Sequence, residues 1–136
     1  MADIEKIIDK FQKLDKNIIF LEETALLSKN EILNDYQKTL AIEHSLQISL
    51  QVVIDVSKDI LKENDIQNYA DLIERLKNKK IISEELSMTF KKMIGLRNIL
   101  IYEYDSIDFE IIYNILKNEL NRFHEFETSI REYLDK

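Results

Sequence analysis

Apolar residues recur along this chain at helical intervals almost from its start. Ile4, Ile7, Phe11, Leu14, Ile18, Leu21 and Ala25 follow one another in steps of three and four, so they share one face of an amphipathic helix. "SKNE", Ser28 to Glu31, then has the spacing of a capping box. The serine oxygen can accept an orphan amide while the glutamate reaches back. A second helix is expected from about residue 29 to about residue 63. It carries two apolar faces: Leu33, Tyr36, Leu40, Leu50, Ile54 and Leu61 on one, Ile42, Leu46, Val53, Val56 and Ile60 on the next. Two such faces predict a helix buried on two sides, or on one side plus a subunit contact. "ENDIQN" breaks the pattern. A short helix over about 68–78 follows, striped by Tyr69, Leu72, Ile73 and Leu76. After the joint "NKKIIS", Ser83 is placed to cap a fourth helix through Met88, Phe90 and Met93. Asp105 or Ser106 is placed to cap a last one, with Phe109, Ile112, Leu116, Leu120, Phe123, Phe126 and Ile130 on its face. The expected fold is all-α: one up-and-down bundle of four long helices and one short helix, forming a single domain over 1–136.

Composition supports that expectation. The 136 residues include one Gly and no Pro, which starves the chain of the turns a sheet would need. With 45% hydrophobic and 33% charged residues it reads as globular rather than disordered. No Cys is present, which removes disulfides and thiolate metal sites. Met1 leads directly into charged residues, and no apolar run is long enough to span a bilayer, so the expected location is the cytoplasm with no membrane contact. The net charge of −7 argues against indiscriminate nucleic-acid binding. That charge is unevenly spread. Arg75 to Arg97 holds seven cationic and two anionic side chains, so its surface is either a solvated lysine-rich joint or a local attractor for phosphate.

The chemistry concentrates in "LRNILIYEYDSID", Leu96 to Asp108. If Arg97 to Tyr104 is helical, Arg97 and Tyr104, seven apart, share a face, and Asn98 and Tyr102, four apart, share a neighbouring one. Polar groups beside the apolar Leu96, Ile99, Leu100 and Ile101 must find partners or water. They are either helix cross-links, with the tyrosines packed by their rings, or a site. His44 and His124 stand alone at helical positions, without a carboxylate or second His at metal-ligand spacing. Glu43 and Gln47 flank His44 as polar positions on an apolar helix, placed either to line a cleft or to meet a partner. No Gly-rich phosphate loop exists, and no metal or other cofactor is expected.

"MIGLRNILIYEYDSID", Met93 to Asp108, resembles the signature of the HepT-like branch of the HEPN superfamily. That signature is a hydrophobic residue, Arg, Asn, three residues, His, one residue and Tyr, then an Ile-Asp pair. "LAIEHSLQISLQVVIDVSKDIL" and "NYADLIERLKNKKIISEEL" resemble the family's second helix and following segment, so the likeness covers about residues 30–125. It implies a helical homodimer acting as a metal-independent endoribonuclease. It also implies a toxin–antitoxin pair, with an MNT-type nucleotidyltransferase that attaches AMP to the signature tyrosine. Carried over by position, Arg97 and Asn98 belong to the catalytic set and Tyr104 is the AMP acceptor. Lys91 and Lys92 are candidates for an RNA-phosphate patch. The departure is Tyr102, which stands at the family's His position. A His exchanges protons near neutrality, whereas a phenol, with an ordinary pKa of about 10, is a poor base there. The resemblance therefore implies either a weakened ribonuclease acting on RNA or a non-catalytic subunit that keeps the dimer and the partner contact.

Overall fold

In the computed structural model of the chain, residues 3–63, 65–103, 105 and 107–136 are described. Among them are seven helices and no strand. Helix α1, Ile4–Thr24, is opened by Asp3, whose side chain accepts the backbone N–H of Lys6. Its seam of Ile7, Phe11, Leu14, Ile18 and Leu21 is fully covered, while Ile4, placed on the same stripe by spacing, is half exposed at the helix end.

The capping box at Ser28 forms in both directions, but it opens a helix of only five residues, α2, Lys29–Leu33. The expected single helix over 29–63 is interrupted at Asn34 and Asp35. Asp35 has extended backbone and its carboxylate accepts the Lys38 N–H at 3.0 Å, which starts a new helix, α3, Tyr36–Leu61. Thr39 stitches the corner by donating its hydroxyl to the Ile32 carbonyl at 2.9 Å. The break has a consequence for burial. Leu33, Tyr36 and Leu40, expected on a covered face, lie exposed, and the covered part of α3 begins at Ile42. From there both faces are buried. Its interior serines return their hydroxyls to protein acceptors: Ser49 to the Ser45 carbonyl, Ser57 to the Val53 carbonyl, and Ser45 to Oδ1 of Asn17 on α1. Satisfied in this way, small polar residues sit inside the bundle without a desolvation penalty.

Helix α4, Tyr69–Asn78, is capped by Asn68, and α5, Glu84–Tyr102, by Ser83 as expected. Lys80 between them takes a positive φ of 62°. The expected last helix is also two: α6, Phe109–Asn118, and α7, Asn121–Leu134. Its cap is Asp108, which accepts the Glu110 N–H at 3.0 Å. Asp105 lies ahead of the helix, and Ser106 is outside the described residues. Leu120 remains buried across the α6–α7 corner, so the apolar stripe continues through a break that it does not announce.

The long helices α1, α3 and α5 pack with α4 on one side and α7 on the other. Where α1, α5 and α7 meet, Phe90 stacks edge-on with Phe123 and Phe126 at 5.4 and 5.6 Å, and Phe11 reaches Phe126 at 6.4 Å. These four rings, all fully buried, pin the C-terminal helix to the bundle and hold α5 in place.

Candidate functional site

Helix α5 turns one edge towards a cleft of about 850 Å³ between its C-terminal half and the start of α4. Lys91, Gly95, Asn98 and Tyr102 fall three or four residues apart and line it, and Arg97 enters from the buried side of the same helix. Gln67, Asn68 and Tyr69 close it from the opposite wall. The expected trio of Arg97, Asn98 and Tyr102 is thus brought to one cleft.

Arg97 is the only charged residue in the chain's described core, with 8% of its surface exposed. A buried guanidinium needs partners, and it has them. Gln51 Oε1, on α3, accepts from Nε at 3.1 Å and from Nη2 at 2.5 Å. Asn98 Oδ1 accepts from Nη1 at 3.3 Å. The Tyr69 ring lies against the guanidinium with its centre 5.2 Å away, and Lys58 approaches the same ring at 4.9 Å. Gln51 in turn donates Nε2 to Asp55 Oδ1 at 2.9 Å. Among the described residues three of the five guanidinium N–H donors are engaged, and two remain. Because Arg97 lines the cleft, those two can meet an anion there.

Tyr102 is 77% exposed and its phenol is free to meet a ligand in the cleft. It is also the last residue of α5. Glu103, at φ −137° and ψ 42°, leaves the helix, so helical spacing does not carry the pairing of Arg97 with residue 104. Tyr104 itself lies outside the described residues. The two lysines part company. Lys91 lines the cleft and pairs with Glu74, while Lys92 faces a different groove with Met93, Leu96 and Ile111. The cationic segment is also partly neutralised by carboxylates that precede it in the chain. Arg75 pairs with Glu63 at 2.7 Å and Lys77 with Glu74 at 2.6 Å. Hydrogen bonds from Lys77 and then Lys91 hold the Glu74 carboxyl below its usual range.

Neither histidine joins the cleft. His44 is exposed on α3, and His124 on α7 pairs with Glu22 at 3.3 Å. Burial pushes the Glu43 carboxyl up from its ordinary value, and Gln47 lines a small pocket behind Arg97, next to Gln51. The α3 pair linked to Arg97 lies two turns further along the helix. Gln51 and Asp55, four apart on an otherwise apolar helix, had the same signature as Glu43 and Gln47. Among the described residues no cluster of His, Asp or Glu could hold a metal ion.

The bundle is HEPN-like in fold. It matches a tri-AMPylated HEPN toxin of Shewanella oneidensis, solved in complex with MNT antitoxin, with TM-score 0.85 and 24% identity over 97% of this chain and 99% of that one. It matches YutE, a cytosolic protein of unknown function from Bacillus subtilis, with TM-score 0.85 and 20% identity over 98% and 92%. The chain belongs to the HepT-like ribonuclease family, whose model, "Ribonuclease HepT-like", matches residues 5–130. It is 26% identical to the tRNA nuclease HepT of Aphanizomenon flos-aquae, over 98% of this chain and 95% of that protein. It is 31% identical to a putative RNase of Archaeoglobus fulgidus, over 74% and 72%.

Proposed function

We propose that this protein is a toxin ribonuclease of the HepT type that cleaves RNA without a metal. A single observation carries the reading: Arg97 is buried and braced, yet keeps two N–H donors for the cleft that Asn98 and Tyr102 also line. Cleavage proceeds by attack of a ribose 2′-oxygen on the adjacent phosphorus. The P–O5′ bond breaks, leaving a cyclic phosphate on one fragment and a 5′-hydroxyl on the other. Arg97 binds the phosphate and stabilises the negative charge that grows on its oxygens. Asn98 holds one edge of the guanidinium. Tyr102 donates its phenolic proton towards the departing 5′-oxygen. With no His in the cleft, the 2′-hydroxyl proton passes to solvent, so turnover is slow.

In this reading the chain works as a homodimer that sets two such clefts together. Its antitoxin is an MNT-type nucleotidyltransferase, which silences it by joining AMP to Tyr104. The tyrosine oxygen attacks the α-phosphorus of ATP, and pyrophosphate leaves. The added phosphate is an anion a few residues from Arg97 and competes for the donors that RNA needs.

The exposed Tyr102 at the His position favours a second reading, a non-catalytic subunit that binds the nucleotidyltransferase without cutting RNA. Incubation of the purified protein with total RNA separates the two. Cleavage lost in Arg97→Ala supports the ribonuclease. Intact RNA with both the unaltered protein and Tyr102→His supports the binding subunit. Peptide mass mapping after incubation with the partner enzyme and ATP locates the adduct. An adduct on Tyr102, or none with a demonstrably active partner, refutes Tyr104 as acceptor. Light scattering at micromolar concentration tests the dimer, and a monomer at every concentration refutes it.

A further inference from the structure

Asp55, Gln51 and Arg97 form a line of hydrogen bonds from α3 to α5, and only its last member opens on the cleft. Gln51 and Asp55 lie behind it, lining a separate pocket of about 190 Å³ with Lys10, Lys13 and Gln47. Gln51 touches the arginine, Asp55 touches Gln51, and neither lines the cleft.

The chemistry of the line is directional. A carboxamide has one accepting and one donating end, nearly equal in shape. Arg97 can only donate, so it requires the oxygen. The Asp55 carboxylate can only accept, so it requires the nitrogen. Between them the amide has one satisfactory orientation, and that is the one present. The single oxygen accepts from both Nε and Nη2, which fixes the guanidinium about its own plane. The Tyr69 ring at 5.2 Å fixes that plane against tilting. The two unspent donors, one on Nη1 and one on Nη2, then have a set direction.

We propose that Gln51, oriented by Asp55, is a positioning residue for Arg97, aiming its two free N–H groups at an RNA phosphate bound in the cleft. This rests on the ribonuclease reading above. In a site without the usual proton shuttle, a preorganised cation supplies a larger share of the rate, and its aim matters correspondingly more.

The test has two arms. The first uses the full chain without RNA and follows solvent exchange of the Arg97 Nε proton by nitrogen-edited NMR, the signal being assigned by its loss in Arg97→Lys. The expected result is a protected Nε proton in the unaltered chain and at least about tenfold faster exchange in Gln51→Met, which keeps the length of the side chain but has no strong acceptor. Asp55→Leu leaves both Gln51 and Arg97 in place, and decides the question should Gln51→Met not fold. It is expected to loosen the proton in the same direction, because the Gln51 amide nitrogen then has no anchor and its oxygen holds the guanidinium less steadily. Asp55→Asn can still accept from Gln51 and retains most of the protection. Gln51→Glu keeps the proton protected but cancels the charge, so its RNA affinity falls.

The second arm measures single-turnover cleavage. Gln51→Met is expected to lose about 100-fold in rate while RNA affinity changes far less, the pattern of misaim rather than lost binding. Protection of the Nε proton in Gln51→Met and Asp55→Leu equal to that in the unaltered chain overturns the proposal, and so does an unchanged cleavage rate. If the unaltered protein neither binds nor cuts RNA, the ribonuclease reading fails by itself, and the exchange arm alone still decides whether Gln51 and Asp55 hold Arg97.

Discussion

At Arg97 and Tyr102 the two halves of phosphodiester cleavage are separable. The guanidinium supplies fixed positive charge, and the residue five positions on should supply a proton. Arg97→Ala is expected to abolish cleavage of total RNA, since no other described cation in the cleft is braced in the same way. Lys91, the cleft's other cation, is already paired with Glu74. Tyr102→His is expected to raise cleavage, because a group that exchanges protons near neutrality contributes typically about 100- to 10,000-fold. A gel assay on both variants checks this, and a wild-type rate equal to that of Tyr102→His would refute the role given to Tyr102. The local spacing of Arg97, Asn98 and Tyr102 was enough to place them together, because all three lie within two turns of one helix. Gln51 was not legible in that way. Its contact with Arg97 spans 46 positions, and nothing on either segment alone says that α3 and α5 face each other there.

Helices announce themselves more clearly than their interruptions. The seams of α1 and α4 follow from periodicity, and Ser28 and Ser83 cap where their spacing says they should. The corners at Asn34–Asp35 and Glu119–Leu120 carry neither Gly nor Pro, and apolar residues continue through both. Only the turn-prone Asn34–Asp35 pair hinted at the first. Asp35→Ala removes the acceptor that starts α3, and is expected to destabilise the fold by about 1 kcal/mol, read from urea unfolding. Gly95 raises the opposite question. It is the chain's single glycine, in the interior of a 19-residue helix, and a Cβ built there meets nothing within 4 Å. A helix is weakened by glycine, by roughly 0.5–1 kcal/mol against alanine, and no neighbour in this chain requires it. Gly95 does line the cleft. Gly95→Ala is therefore expected to raise stability by about that amount while weakening RNA binding, because the methyl occupies space the ligand needs. A more stable variant with unchanged RNA affinity would show that the space above Gly95 is not used.

Holding the whole bundle closed brings two acids together far from the cleft. Glu127 on α7 and Asp15 on α1 meet where the C-terminal helix packs on the first. One carboxyl oxygen of Glu127 is buried without a hydrogen-bond partner among the described residues. Burial first, then the hydrogen bond and the negative charge of Asp15, push the Glu127 carboxyl up to about 8, with Arg131 pulling modestly the other way. A raised value means that the folded chain holds this proton more tightly than the unfolded chain does. Its contribution is therefore complete at pH values below the ordinary glutamate range. It declines as pH rises above that range and is gone once pH passes about 8. In a protein of net charge −7, carboxylates neutralised elsewhere act on the same curve by relieving repulsion. The comparison must therefore be between two chains and not along one. Glu127→Gln keeps the shape, cannot ionise, and can donate its amide to Asp15. Urea unfolding at pH 5.5 and pH 8.5, at equal ionic strength, is expected to show the wild-type midpoint falling more between the two than that of Glu127→Gln. The variant should be the more stable chain at the alkaline value, since every other ionisable group is common to both. Parallel behaviour of the two chains would mean that Glu127 is already ionised at neutral pH, and that α7 packs on α1 without a proton between them.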